Sequence, residues 1–273
     1  MEERYAFIIS DRTGITAETM GHTLLSQFPM MKFKTVPLPF IDTEEKARQT
    51  VQQINDAAEK NGRLPLVFAT LVDDNIRKMI SSSNGVFFDL IDQFLGPLER
   101  ELGVESAHTI GRSHGVVDPA KYTSRIAAVN FSVRTDDGVN TNKYDQAAVI
   151  IVGVSRTGKT PTCLYLALHF GTYAANYPLT PEDLIAGRLP ARIAKFRDKL
   201  FALTIDPSRL AKIRQERFAR GRYAGLKQCQ QEVLQAEAIF RQENVPYINT
   251  TAISIEEIAT TIIHKARLKR DLI

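Results

Sequence analysis

The sequence predicts an α/β protein of two units, an N-terminal doubly wound parallel sheet and a C-terminal α/β unit. Short, nearly continuous apolar runs recur along the chain, as expected of strands buried on both faces of a parallel sheet. Segments with apolar residues at helical spacing separate these runs, and that alternation is typical of doubly wound folds. In the second half, the run from Gly153 to Thr160 fits the pattern G-x-x-x-x-G-K-[ST]. We therefore expect the C-terminal unit to be a phosphate-loop, kinase-like α/β unit.

The composition limits the classes of protein to consider. The 273 residues include 35 basic and 31 acidic ones, a net charge of +4 that suits a phosphorylated ligand or an acidic partner protein. No basic run is interleaved with aromatic residues, so we expect no nucleic-acid partner. The two cysteines, Cys163 and Cys229, form no zinc-ligand pattern and fit a reducing cytosol. A charged start without a signal peptide, and no apolar run of membrane-spanning length, predict a cytoplasmic protein that does not associate with membranes.

The N-terminal unit is expected to cover residues 1–103. Its apolar runs predict strands at 5–10, 33–38, 64–71 and 86–90. Helical spacing predicts helices at 15–28, 42–60, 73–81 and 91–102, and Thr13 or Thr16 is a candidate cap for the first of them. This unit carries no phosphate-binding fingerprint of its own, so we expect it to help recognise a protein partner.

The segment 104–144 is interpreted as a connection between the two units. It begins with a polar, Gly-rich stretch that contains Arg112 and His114, continues with a helix at 122–133, and reaches a turn at Asp136-Asp137-Gly138. A lone histidine is usually structural, yet Arg112 and His114 in a polar loop could bind inorganic phosphate.

The C-terminal unit is expected to cover residues 145–273. After the apolar strand that ends at Val152, the sequence predicts strands at 172–177, 200–205 and 245–250. Helices are expected at 161–170, 181–199 with an interruption around Leu189-Pro190, 208–218, 225–242 and 253–268. The last helix begins with Ser254 and Glu257 in a capping-box pattern.

The phosphate loop predicts a specific chemistry. Its two glycines let successive N–H groups point at phosphate oxygens, and the following helix adds its positive end. Lys159 is expected to bind the outer phosphates, and the Thr160 hydroxyl to ligate Mg²⁺. The alternative is an ordinary strand-to-helix turn with an incidental lysine. The loop residues expected to bind nucleotide are Gly153, Val154, Ser155, Arg156, Thr157, Gly158, Lys159 and Thr160.

The sequence leaves two possible roles open for each of two candidate site residues, Arg156 and Asp206. Arg156 could bind a phosphate or pair with a nearby acid, because arginine is well shaped for both. Asp206 ends an apolar strand, where phosphate-loop enzymes place a metal-linked acid, so we expect it to be a metal ligand together with Thr160. Its alternative role is to cap the next helix ahead of Pro207.

Motifs along almost the whole chain resemble the phosphoenolpyruvate synthase regulatory proteins, which belong with the pyruvate,phosphate dikinase regulatory proteins. Gly158 and the Tyr177-Pro178 ending look more like the synthase branch than the dikinase branch. The matching motifs lie at 108–115, 122–126, 136–138, 153–162, 165–167, 174–178, 200–207, 222–224 and 247–249.

The resemblance implies a bifunctional serine/threonine kinase and phosphorylase. One activity would transfer phosphate from ADP to a threonine of phosphoenolpyruvate synthase and inactivate it. The other would use inorganic phosphate to remove that group and release pyrophosphate. Lys159, Asp137 and His114 are the expected catalytic residues; the resemblance is what raises Asp137, otherwise a turn residue, to a candidate base or metal contact.

Several alternatives stay open beside this reading. The target could be pyruvate,phosphate dikinase, the chain could be a conventional ATP-dependent small-molecule kinase, or it could be a non-catalytic nucleotide sensor. A homodimer is also open.

Overall fold

The computed structural model describes residues 3–106, 119–217 and 222–268. The chain forms two compact units, Met1–Gly115 and Val116–Ile273. Among the described residues, no helix combines the length and the apolar character that crossing a membrane requires.

The first unit contains a four-stranded parallel sheet with strand order β2-β1-β3-β4. Its strands are β1 (Glu3–Ser10), β2 (Lys32–Leu38), β3 (Leu66–Thr70) and β4 (Val86–Asp89). Its helices are α1 (Ile15–Leu25), α2 (Glu44–Asn61), α3 (Asp74–Ser81) and α4 (Asp92–Leu102). The alternation of strands and helices predicted from the sequence is confirmed.

Helices cover both faces of this sheet. Alternate residues of β1 point to opposite sides, and the apolar ones on each side pack against a helix. Phe7 and Ile9 pack in one buried cluster with Ile54 of α2. Ala6 and Ile8 pack in another with residues of α1, including Leu25. The doubly wound arrangement is therefore confirmed.

The predicted cap of the first helix is wrong. Helix α1 begins at Ile15, and its N-cap is Gly14, which has a left-handed φ of 79° and gives the helix no side-chain cap. Thr16 lies inside the helix and Thr13 lies before the cap, so neither hydroxyl is at the capping position. Glycine adopts this conformation without the steric cost that a side chain would add.

The second unit contains a four-stranded parallel sheet with order β6-β5-β7-β8. Its strands are β5 (Val149–Gly153), β6 (Ala174–Pro178), β7 (Leu200–Thr204) and β8 (Tyr247–Asn249). Its helices are α5 (Pro119–Arg134), α6 (Lys159–Phe170), α7 (Pro181–Ala186), α8 (Ala191–Ala194), α9 (Pro207–Arg217), α10 (Leu226–Gln242) and α11 (Ile255–Lys265). The expected interruption near Pro190 falls between α7 and α8 and is confirmed.

This sheet is also covered on both faces. Ile151 packs with Leu166 of α6 and Ile262 of α11 in one buried cluster. Ile150 packs with Leu210 of α9 and Ile239 of α10 in the other. Helices therefore cover both faces of the sheet, and its buried strands form a rigid support for the loops at their carboxyl ends.

The segment interpreted as a connection belongs in large part to the second unit. Ser132 of α5 donates its hydroxyl to the carbonyl of Ala174 in β6 at 2.7 Å, and Phe131 joins the buried cluster beside the sheet. Tyr144 is fully buried, and its hydroxyl donates to the carbonyl of Asn176 at 2.7 Å. Phe131, Ser132 and Tyr144, all in the segment interpreted as a connection, are thus buried in this unit.

Candidate active site

The phosphate loop lies at the point where the second sheet changes direction. Strand β5 connects to β6 on one side and its other neighbour, β7, connects to β8 on the far side, so the connections from the carboxyl ends of β5 and β7 run in opposite directions. Open parallel sheets bind their ligands in the crevice at that position. A side chain on Gly153 would collide with the carbonyl of Leu203, so only glycine fits where the loop begins. Gly158 has a left-handed φ of 90° where the loop turns into α6.

Lys159 is the first residue of α6, and its side chain is buried. Its Nζ donates to the carbonyl of Val154 at 3.0 Å, inside the loop. Burial lowers the pKa of Lys159 to about 8, and the nearby carboxylate of Asp137 partly opposes that effect. A buried ammonium whose charge is only partly compensated favours an incoming anion, as a phosphate site requires.

Thr160 faces a carboxylate that the sequence analysis did not single out. Its Oγ1 donates to Oδ1 of Asp136 at 2.8 Å. The side-chain amide of Asn176, a fully buried residue of β6, donates to the same oxygen of Asp136. The amide oxygen of Asn176 accepts the N–H of Asp137 at 3.1 Å. Asn176 therefore ties the turn 136–138 to β6, and Thr160 ties the same turn to the start of α6.

Residues of the turn 136–138 and of the phosphate loop line one cavity of about 590 Å³. Its cationic side chains are Arg156, Lys159 and Arg217, and its acids are Asp136 and Asp137. The remaining lining residues include Ser155, Gly158, Thr160, Pro161 and Ile213. Three cations in a cavity of this size suit a ligand with several phosphate groups, and the carboxylates beside them can hold a metal ion or accept a proton.

The structure brings some of the predicted site residues to the cavity and not others. It brings Asp137 together with the phosphate loop, and Arg156 lines the cavity beside Lys159. Asp206 precedes α9, and its Oδ1 accepts the N–H groups of Ser208 at 2.9 Å and Arg209 at 3.0 Å. The Ser208 hydroxyl also donates to Asp206 and holds the pKa of that carboxyl below its usual value. This is the capping arrangement; the metal role stays a prediction. His114 lies outside the described residues.

Asp136 is the functional candidate that sequence reasoning missed. Both acids of the turn are visible in the sequence, but the family resemblance raises only Asp137 to a candidate base or metal contact. No local pattern reveals that Asp136 reaches Thr160, which lies 24 positions later. Among the described residues, no group of three or more His, Cys, Asp or Glu side chains could hold a metal ion.

A parallel sheet with a glycine-bounded loop at its switch point, a buried lysine and a cationic cavity is the arrangement expected of α/β proteins of the kinase-like class. Comparison with known proteins narrows this class. A family model described as kinase/pyrophosphorylase matches residues 6–263, and the chain belongs to that family. It is therefore an enzyme of the kinase type.

Similar full-length relatives carry one name in common. The chain is 53% identical over 269 residues to a protein of Alkalilimnicola ehrlichii, covering 98% of each chain. It is 50% identical over 268 residues to one of Marinobacter nauticus, covering 98% of this chain and 99% of the relative. It is 51% identical over 268 residues to one of Pseudomonas aeruginosa, covering 98% of each. All three are named "Putative phosphoenolpyruvate synthase regulatory protein".

Proposed function

We propose that this enzyme regulates phosphoenolpyruvate synthase in both directions. It phosphorylates a threonine of the synthase with ADP, which inactivates the synthase, and it removes that phosphate with inorganic phosphate, which restores activity. The cavity that joins the phosphate loop to two carboxylates is the observation that carries this proposal. The family description, which pairs a kinase with a pyrophosphorylase, and the names of the relatives support it.

In the kinase direction, the loop N–H groups and Lys159 bind the two phosphates of ADP. The threonine hydroxyl attacks the terminal phosphorus, the bond to the bridging oxygen breaks, and AMP leaves with that oxygen. Asp137 accepts the proton of the hydroxyl, since its carboxylate lines the cavity beside Lys159. Lys159 and Arg156 offset the charge that develops on the transferred group.

In the reverse direction, inorganic phosphate attacks the phosphorus of phosphothreonine. The bond between phosphorus and the threonine oxygen breaks, that oxygen takes up a proton, and pyrophosphate forms. The product again carries two linked phosphates, so one loop can serve both reactions. His114 is assigned to bind inorganic phosphate here, as a prediction from the sequence.

The residues beside the loop fit a magnesium ion. The Thr160 hydroxyl and the Asp136 carboxylate are hard oxygen ligands with 2.8 Å between the two oxygens, and the buried amide of Asn176 orients the carboxylate. Thr160 and Asp136 would hold the ion, and Asp206 is the alternative acid predicted from the sequence. Magnesium would offset negative charge on the phosphates.

The test uses purified protein with phosphoenolpyruvate synthase or pyruvate,phosphate dikinase and either ADP or ATP. Mass spectrometry of the target is expected to show one phosphothreonine on the synthase with ADP. Adding inorganic phosphate afterwards should remove it and release pyrophosphate. Modification of the dikinase instead would reassign the target, and a requirement for ATP with small-molecule acceptors would favour a conventional kinase. Nucleotide binding without transfer would favour a sensor.

A further inference from the structure

A buried arginine contacts the phosphate loop without lining the cavity. Arg214 of α9 is 1% exposed, which is rare for this residue type unless its charge is paired. Its Nη2 donates to the carboxylate of Glu232 on α10 at 2.7 Å and to the backbone carbonyl of Ser155 in the loop at 3.2 Å. Gln228 donates to the other oxygen of Glu232 at 2.9 Å. The guanidinium is thus neutralised and oriented toward the loop.

Tyr223 completes this cluster. Its ring centroid lies 4.1 Å from Cζ of Arg214, and its carbonyl accepts Nη1 of Arg214 at 3.0 Å. Its hydroxyl donates to Oγ of Ser155 at 2.9 Å. Ser155 is therefore held twice, by Arg214 at the backbone carbonyl and by Tyr223 at the side chain.

The hydrogen bond to the Ser155 carbonyl also fixes an N–H group of the loop. The carbonyl of Ser155 and the N–H of Arg156 belong to one planar trans peptide group, so they point in opposite directions. With the carbonyl held by Arg214, the N–H points away from Arg214. Arg156 has a φ of 78°, in the left-handed region that a residue with a side chain keeps only when its surroundings enforce it.

We propose that Arg214, acting with Tyr223, is a positioning residue that aims the N–H of Arg156 at the outer phosphate of the bound nucleotide. The inference rests on the proposed function, because it needs a ligand with at least two linked phosphates in the loop. Lysine cannot replace Arg214 in this role. Its single ammonium has no planar fork with which to bridge Glu232, Tyr223 and Ser155 together.

The test compares the affinities of folded variants for ADP and for AMP. Arg214→Lys keeps the charge and loses the fork, whereas Tyr223→Phe removes only the hydroxyl that binds Ser155. Arg197→Lys is the matched control, since Arg197 pairs with Glu243 at an exposed position of the same unit. The thermal unfolding of each variant is first recorded without nucleotide. Binding is then measured on fresh protein at a temperature at which all the variants are folded.

We expect Arg214→Lys to weaken ADP binding about tenfold, the loss of one hydrogen-bonding group from an anion site. In the proposed complex the loop holds the outer phosphate, which AMP lacks, so AMP binding should change far less and the ratio of ADP affinity to AMP affinity should fall. A general loss of structure would lower both affinities alike. Arg197→Lys should keep the parental ratio.

A double-mutant cycle keeps the proposal testable if Arg214→Lys does not fold. If Tyr223 acts through Ser155, the double variant Tyr223→Phe/Ser155→Ala should bind ADP no more weakly than Tyr223→Phe. Three results would overturn the inference and leave the proposed function standing. They are parental ADP affinity in folded Arg214→Lys and Tyr223→Phe, fully additive effects in the cycle, and equal losses of affinity for ADP and AMP. A parent protein that binds neither ADP, ATP nor pyrophosphate would overturn both.

Discussion

Lys159 is the residue on which the proposed chemistry depends most directly. Replacing it with alanine removes the buried ammonium that is proposed to bind the outer phosphates and leaves the glycines that shape the loop. We expect Lys159→Ala to lower transfer from ADP by at least roughly 10²-fold, the order found when one charge-stabilising group is deleted from an active site. Lys265→Ala, at an exposed position of α11, is the control for a lost lysine. Normal transfer by a folded Lys159→Ala variant would remove the loop from the mechanism.

The lowered pKa of Lys159 predicts a pH dependence of nucleotide binding. Burial lowers this pKa from 10.5 to about 8, so the free protein carries the ammonium below that pH and loses it above. Affinity for ADP should therefore fall as pH rises through about 8, by up to about tenfold per pH unit. In Lys159→Arg the guanidinium stays charged, and that decline should vanish if the variant still binds. Identical pH profiles for the two proteins would show that Lys159 does not titrate in this range.

The two acids of the turn 136–138 should differ in their effects. Asp137→Asn keeps the shape of the side chain and removes the proposed base, so the ADP-dependent reaction should suffer more than the phosphate-dependent one. His114→Ala should show the opposite preference. Asp136→Asn should raise the Mg²⁺ concentration that both reactions require, because Asp136 contacts Thr160 and is proposed to hold the metal ion with it. Both rates are measured for every variant, and equal losses throughout would mean one undivided site and a wrong assignment of roles.

At the scale of helices and strands, the capping box of α11 was predicted from the sequence and is confirmed. The hydroxyl of Ser254 accepts the N–H of Glu257 at 3.2 Å, and the Glu257 carboxylate accepts the N–H of Ser254 at 2.8 Å. Ser254→Ala should lower the free energy of unfolding by about 1 kcal/mol. Thr260→Ala, at an exposed position inside the same helix, should change it little and serves as the control. Urea denaturation measures both, and equal values would show that the cap adds nothing.

Local patterns account for most elements that could be predicted. Apolar runs and helical spacing identify the strands and helices of both sheets because those signals lie within a few neighbouring residues. The phosphate loop is equally local. Contacts between distant residues leave no such signal: Asp136 reaches Thr160 across 24 positions, and Arg214 reaches Ser155 across 59. The role of Gly14 as the first N-cap was also missed, because the nearby threonines match the usual preference better.

For the whole molecule, the sequence and the structure place the start of the second unit differently. The sequence analysis begins it at 145, whereas the structure divides the chain after Gly115. Phe131 and Tyr144 are buried in the second unit's core, and Ser132 donates a hydrogen bond to β6. A fragment that lacks these side chains would expose the apolar surface that they cover. The remaining core residues would not fill the volume that the lost side chains occupy, so the fragment would be destabilised.

Two fragments test this division and the role assigned to the first unit. Residues 116–273 should unfold cooperatively and bind ADP, since they hold the complete second unit and the cavity. Residues 145–273 should fail to fold stably, because α5 and the buried Tyr144 are missing. If the first unit recognises the protein partner, the longer fragment should bind ADP like the full chain and phosphorylate the synthase far more slowly. Calorimetric unfolding, ADP titration and target phosphorylation are measured for each. Full-rate phosphorylation by residues 116–273 would show that partner recognition lies in the second unit, and a stable, ADP-binding fragment 145–273 would restore the boundary predicted from the sequence.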